Sequence, residues 1–196
     1  MMIRFALALS LLAAAPLAAQ TTTAVPAPAG DVVKVALDTS AGRIVLALDK
    51  AHAPLTTANF LKYVDSGRFN GESFYRSMKF TDGGGIIQAG ITSDARKLYP
   101  AVEHEPVSKT GIKHVAGTIS MAAFSPGTAK ADFFILTSDI PSFDANFAAF
   151  GHVVEGMDVV KAIQNSPTSP TKGEGVMRGQ MLDPVVKITK ATRVPG

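Results

Sequence analysis

The sequence predicts a mostly β fold, an antiparallel barrel or sandwich with helices on its ends. Three observations predict it. Short runs of period-two alternation recur about eight times along the chain. Only two segments carry the spacing of an amphipathic helix. Those two segments are separated by runs of strands rather than interleaved with them one for one, which excludes a βαβ pattern.

The first alternating run is "VVKVALDTSAGRIVLALD". Val33, Val35 and Leu37 alternate with other residues, and Ile44, Leu46 and Leu48 do so after the turn "DTSAG". Two such runs joined by a glycine-containing turn read as a β-hairpin with one buried face. The period changes in "APLTTANFLKYVDSGRF". Pro54 suits a first helical turn, because its missing N–H would be unpaired there in any case. Thr57, Phe60, Leu61 and Val64 then fall at helical spacing, and Gly67 supplies a stop, so a helix is predicted over Pro54 to Ser66. Strands are predicted over Ser73 to Arg76, Gly85 to Gln88, Gly117 to Met121, Phe133 to Thr137 and Ala149 to Val153. Ala89 to His114 is a long, mixed, polar stretch, of the kind that is functional or disordered. A second helix is predicted in "EGMDVVKAIQNS", with Met157, Val160 and Ile163 on one side, and a closing strand in "PVVKITKATRV" through Val186 and Ile188. The chain has no internal repeat.

Composition and termini set the organisation. The chain has 196 residues, 46% of them hydrophobic, which is enough for one domain with a full core. It opens with "MMIRFALALSLLAAAPLAAQ": one cation at Arg4, an apolar run, then small residues, the layout of a secretory signal peptide. A retained membrane anchor is the competing reading, but the run is short and ends in Ala and Pro rather than a charged stop. Residues 1–19 are therefore expected to be a cleaved signal, with cleavage near Ala19. Residues 20–31 are expected to be a flexible Thr/Ala/Pro tether, and 32–196 the domain. The expected destination is the bacterial periplasm, with no stable membrane insertion after cleavage.

Several chemistries are excluded or disfavoured. There is no cysteine, so disulfides, thiolate metal sites and cysteine nucleophiles are absent. Net charge is +3 without a concentrated basic run, so no nucleic-acid partner is expected. His52, His104, His114 and His152 are scattered, and no metal site is expected. Ser120, His114 and Asp132 can be drawn as a triad, but no Gly-x-Ser-x-Gly elbow surrounds the serine. Gly83, Gly84 and Gly85 are not followed by Lys-Ser or Lys-Thr, and read as a turn rather than a phosphate loop. No cofactor is implied. What remains is Arg76 beside Phe74 and Tyr75, then Gln88, and the pair Phe133–Phe134. Strand alternation sends those two phenylalanines to opposite faces, one to a core and one to a pocket. A surface arginine lying over its aromatic neighbours is the plainer reading of Arg76.

The order and spacing of "LDTSAGRIVLAL", "APLTTANFLKYVDSGRFNGESFYR", "GIIQAG", "GTISMA", "DFFILTS" and "FGHVVEGMDVVKAI" resemble the cyclophilins, a family of peptidyl-prolyl cis-trans isomerases. The resemblance runs from about Val32 to the end of the chain. It implies a closed eight-stranded antiparallel barrel capped by two α-helices, an isomerase that turns X–Pro bonds, and no cofactor. It implies Arg76 and Gln88 as catalytic residues, and Phe134, Ile86, Phe143, Ala122, Met121, Tyr75, Asp132 and Phe147 as substrate-binding residues. The implied partners are proline-containing segments of unfolded or folding exported proteins, met by a monomer whose sheet closes its own edges. Some positions depart from the family pattern. Tyr75 stands for a frequent histidine, Gly85 for a pocket phenylalanine, Ala123 for asparagine, Asp132 for glutamine, Ser142 for tryptophan and Phe147 for a rim histidine. Phe80, in a slightly longer hairpin, is the candidate to refill the gap at Gly85. The departures keep a second reading open, a weakly catalytic proline-peptide-binding module. A barrel carrying a small apolar ligand is a third.

Overall fold

The computed structural model describes residues 32–195. The expected signal peptide and tether lie outside the described residues. Nine strands and three α-helices follow in chain order. They are β1 (Val32–Thr39), β2 (Gly42–Asp49), α1 (Pro54–Asp65), β3 (Ser73–Lys79), β4 (Gly85–Gly90), α2 (Val107–Thr110), β5 (Thr118–Met121), β6 (Phe133–Leu136), β7 (Ala148–Glu155), α3 (Met157–Asn165), β8 (Thr168–Ser169) and β9 (Met181–Val194). Eight strands close on themselves in the order β1-β2-β7-β5-β6-β4-β3-β9, with β9 returning to β1, and every pairing is antiparallel. The two-residue β8 is an appendage on β9. The result is the closed eight-stranded antiparallel barrel that the resemblance implied, and of the barrel or sandwich left open by the periodicity it is the barrel. α1 and α3 are its two substantial helices, and α2 is a single turn.

The hairpin β1–β2 pairs Val32 with Asp49 through Thr39 with Gly42, as its two alternating runs require. The interior is filled by side chains rather than left as a cavity. Phe60, Phe69, Phe74, Phe133 and Phe150 are all fully buried in one cluster, with Phe60 of α1 lying 5.1 to 5.3 Å from three of the other rings. A filled barrel leaves no room for the ligand-carrier reading. Fully burying each such ring contributes roughly 1.5–3 kcal/mol, so the interior is the main source of stability.

α1 has no local cap at Ala53. Its first N–H groups are met from afar by Glu105, in the long polar stretch before α2. The Glu105 carboxylate accepts from the Leu55 and Thr56 N–H groups at 3.2 and 2.8 Å and from the Thr56 hydroxyl at 2.7 Å. Glu105 is buried. An acceptor anion at a helix N-terminus is favourable both for the orphan donors and for the helix dipole. The polar stretch is therefore a strap that fixes α1 over the barrel.

Candidate active site

The site starts from an irregularity in β3. Phe74 pairs with Ala89 and Arg76 with Gln88 on one side, and the same two residues pair with Val186 and Met181 on the other. Tyr75 is skipped in both registers, which makes it a β-bulge. Strict alternation would put Tyr75 and Arg76 on opposite faces, but a bulge re-aims its extra residue. Phe74 points into the core, while Tyr75 and Arg76 both reach the outer-face residue Gln88.

These side chains form one hydrogen-bonded chain. Arg76 Nη1 donates to Gln88 Oε1 at 2.9 Å, Gln88 Nε2 donates to the Tyr75 hydroxyl at 2.6 Å, and that hydroxyl donates to Asp132 Oδ1 at 3.2 Å. Its polarity is unambiguous. A guanidinium only donates and a carboxylate only accepts, so each group between them has one possible orientation. On its other edge, Arg76 Nε donates to Gln180 Oε1 at 2.9 Å, and Gln180 Nε2 donates to the Val176 carbonyl at 2.8 Å. Arg76 Nη2 lies 3.7 Å from the Met78 sulfur. Three of the five guanidinium N–H groups are so engaged, and two have no partner among the described residues.

The electrostatics follow from partial burial. Burial pushes Asp132 up to about 6; the Tyr75 hydrogen bond opposes the shift and the nearby Glu72 charge adds to it. Burial, then the Asp132 charge, hold the Tyr75 phenol above its ordinary value. Burial also lowers Arg76 somewhat, without threatening its charge.

Next to this chain lies a small apolar cluster outside the barrel. Ile86, Phe134, Leu136 and Ile140 are buried in it, with Met78, Ala122, Phe143 and Phe147 half-buried against them. Phe134 meets Phe147 and Phe143 edge-on, at 5.1 and 5.6 Å between centroids. Phe133 is its neighbour in β6 and points into the core, as alternation predicts. Beneath Phe134 lies His114, stacked at 6.2 Å. His114 Nδ1 is 2.8 Å from Asp144 and Nε2 is 2.9 Å from the Ser120 hydroxyl. Burial lowers the His114 pKa against the pull of Asp144, so the neutral ring donates to Asp144 and accepts from Ser120. A serine, histidine and aspartate are thus in line, with Asp144 in the place imagined for Asp132. Ser120 is fully buried, so the line is a prop for the Phe134 ring and not a nucleophile.

Most of the residues singled out in the sequence meet here. Arg76, Gln88, Tyr75 and Asp132 share the hydrogen-bonded chain, and Phe134, Ile86, Phe143, Phe147 and Ala122 share the cluster. Met121 does not join them; its side chain is 1% exposed and belongs to the interior core. Phe80 does not refill the gap at Gly85. It is exposed and stands outside the cluster, and Met78, two residues nearer Arg76, packs there instead. Gly85 itself has φ +145°, and a Cβ there would stand 2.0 Å from the Met78 carbonyl oxygen, so this hairpin has no room for a side chain at that position. Gln180 and Met78 were not identified from the sequence, and His114 entered there only as a scattered histidine and in a rejected triad. Gln180 lies 104 residues from Arg76 and no local pattern marks it.

Comparisons with known proteins bear on the family and the fold. Residues 33–193 match the model of the family "Cyclophilin type peptidyl-prolyl cis-trans isomerase/CLD". A peptidyl-prolyl cis-trans isomerase of Streptomyces antibioticus is 37% identical over 149 residues, covering 71% of this chain and 87% of that protein. Peptidyl-prolyl cis-trans isomerase A of Dickeya dadantii is 37% identical over 169 residues, covering 82% of this chain and 81% of that one. The crystal structure of a cyclophilin-type isomerase from Cryptosporidium parvum has the same fold, with a TM-score of 0.70 at 22% identity over 84% of this chain and 99% of that one. A second structure of it, determined in the presence of the dipeptide Ala-Pro, gives a TM-score of 0.68, again at 22% identity, over 83% of this chain and 99% of that one.

Proposed function

This chain belongs to the cyclophilin-type peptidyl-prolyl cis-trans isomerase family, and we propose that it turns X–Pro bonds at the site formed by Arg76, Gln88 and Phe134. The observation that carries this reading is the Arg76 guanidinium. It is fixed on two edges by Gln88 and Gln180, keeps unused donors, and stands beside an apolar cluster.

The chemistry asks for little else. Rotation about the prolyl amide meets a barrier of about 18–20 kcal/mol because resonance gives that bond double-bond character. Twisting removes the resonance and returns a lone pair to the prolyl nitrogen. A donor already in place for that nitrogen stabilises the twisted amide more than either planar form. Arg76 supplies it with a free N–H. A net charge-assisted hydrogen bond of about 2–3 kcal/mol accelerates rotation about 30- to 150-fold. The proline ring seats on the half-buried Met78, Ala122, Phe143 and Phe147, over a floor of Ile86 and Phe134. Gln88 holds the guanidinium and presents its amide to the peptide.

The substrates proposed are proline-containing segments of exported proteins during folding, met by a monomer in the periplasm. The N-terminal sequence "MMIRFALALSLLAAAPLAAQ" supports export, and the absence of cysteine fits an oxidising compartment. The test is refolding of an exported protein whose slow phase is proline-limited. The wild-type chain is expected to shorten that phase and Arg76→Ala to leave it slow; equal effects of the two would overturn the assignment. Cell fractionation with intact-mass measurement tests export, which predicts a periplasmic species starting at Gln20.

A further inference from the structure

The bulge at Tyr75 leaves two residues whose chemistry the isomerisation step does not use. Asp132 is a carboxylate set against the edge of β4, so close to Gly90 that a Cβ there would stand 1.7 Å from its Oδ1. Its backbone carbonyl is tied to the Ala122 N–H at 2.8 Å. Tyr75 lies between this carboxylate and Gln88 and bonds to both. Neither needs to touch a peptide to matter.

We propose that Asp132 and Tyr75 are positioning residues: through Gln88 they fix the orientation of the Arg76 guanidinium, and a proton on Asp132 releases it. The proposal rests on the reading of Arg76 as the group that polarises the twisting amide.

The argument is one of hydrogen-bond polarity. While Asp132 is ionised it can only accept, so the Tyr75 hydroxyl must donate to it and turns its lone pairs to Gln88. Gln88 then directs its NH2 at Tyr75 and its oxygen at Arg76, the one arrangement in which a donor-only guanidinium finds an acceptor. A protonated Asp132 no longer imposes this: its carbonyl oxygen can still accept, as an amide oxygen would, but its O–H can instead donate to the tyrosine oxygen. The hydroxyl is then free to donate to Gln88, whose amide can turn over and face Arg76 with N–H groups. Donor would oppose donor, and Arg76 would keep only Gln180 and the Met78 sulfur. The anion at the far end of the chain thus sets the orientation of the cation at the near end.

The surroundings of Asp132 make this proton exchange accessible. Burial moves the carboxyl up to about 6, a contribution that Tyr75 partly opposes and Glu72 reinforces. Tyr75 of β3, Glu72 just before β3 and Tyr63 of α1 are the titratable groups that sense Asp132. Glu72 is itself ion-paired with Lys97 at 2.8 Å. The neighbouring strand β4 offers only Gly90 and Gln88 there, neither of which titrates.

The relay is tested by cis–trans exchange NMR on a blocked Ala-Pro peptide with no titratable group, using the full chain from pH 5 to pH 8. Wild-type kcat/KM is expected to fall about tenfold from pH 8 to pH 5, following one proton. Asp132→Asn should flatten the profile at a level between the wild-type extremes, because a neutral amide oxygen still accepts from Tyr75. Tyr75→Phe should lower the rate about tenfold at pH 8 and remove the step, with KM for the peptide little changed. A flat wild-type profile, a step that survives Asp132→Asn, or a Tyr75→Phe rate equal to wild type each overturns the proposal. A surviving step would belong to another group, with His114 beneath Phe134 the first to examine. If the chain turns over no peptide at any pH, the isomerase reading fails by itself. The relay is then judged by the two Arg76 Nη nitrogens in a carbon-detected correlation with Cζ, which does not depend on slow proton exchange: they should stay separate at pH 8, where Gln88 holds Nη1, and merge at pH 5 and in Tyr75→Phe. A pair of signals unchanged by both would overturn it.

Discussion

Phe133 and Phe134 are adjacent in β6 and belong to different parts of the molecule. Phe133 packs edge-on against Phe60, Phe69 and Phe74 inside the barrel. Phe134 packs against Phe143, Phe147 and His114 outside it. One strand with a two-residue period therefore builds the hydrophobic core with one face and the floor of the proposed binding site with the other. The interior draws on side chains from nearly every element, whereas the outer cluster has four buried members and an edge of half-exposed ones. Stability should reside mainly on the first face and activity on the second.

The largest expected effect breaks the interior. Phe133→Ala should cost about 3–5 kcal/mol of stability, read as a shift in denaturant midpoint, with activity falling only as the folded fraction falls. Phe134→Ala should reverse that balance: kcat/KM drops by about 30-fold, or about 2 kcal/mol, with a smaller stability loss than at Phe133. Equal stability losses at the two sites would contradict the division.

Removing the strap acid comes next. Glu105→Ala leaves the first turn of α1 without its acceptor and should cost about 1–3 kcal/mol in thermal or denaturant unfolding, while KM for a proline peptide stays as it was. Asp132→Asn acts in the opposite direction. The folded-state pKa of Asp132 is raised to about 6 from an ordinary 3.8. The folded state therefore binds this proton more tightly than the unfolded chain does. Its ionisation carries no cost below about pH 4, a growing one between pH 4 and 6, and a constant one above. Asp132→Asn should accordingly be more stable than wild type by about 1–2 kcal/mol at pH 8 and by little at pH 4, measured by urea unfolding at both. The smallest effect is at the hairpin. Phe80→Ala should change stability by less than about 0.5 kcal/mol and leave peptide affinity unaltered, whereas Met78→Ala should weaken it.

The parts of this division that were legible in the sequence are those governed by local periodicity. The alternation of Val33, Val35 and Leu37 with Ile44, Leu46 and Leu48 specified the first hairpin, and Pro54 marked the start of α1. The split between Phe133 and Phe134 followed from the same rule. The candidate site was legible in which residues meet there more than in its geometry. Periodicity assigns consecutive residues to opposite faces, so it has no way to place Tyr75 and Arg76 together; a bulge did that. Gln180 reaches Arg76 from a loop that no spacing rule connects to it. Phe80 is the candidate for the space at Gly85 because it lies in the longer hairpin, but the closure of the hairpin turns it to solvent and leaves the role to Met78. Glu105 lies in the stretch read as functional or disordered, and its role was not legible there, because a helix cap supplied from 50 residues away leaves no local signature.

The central claim is that the fixed charge of Arg76, rather than peptide binding alone, turns the bond. Exchange NMR on an Ala-Pro peptide gives binding and exchange rate in one sample. Arg76→Ala is expected to bind the peptide with affinity within a few-fold of wild type and to lose about 100-fold in exchange rate, about 2.7 kcal/mol of barrier. A variant that exchanges the peptide as fast as wild type would contradict the account.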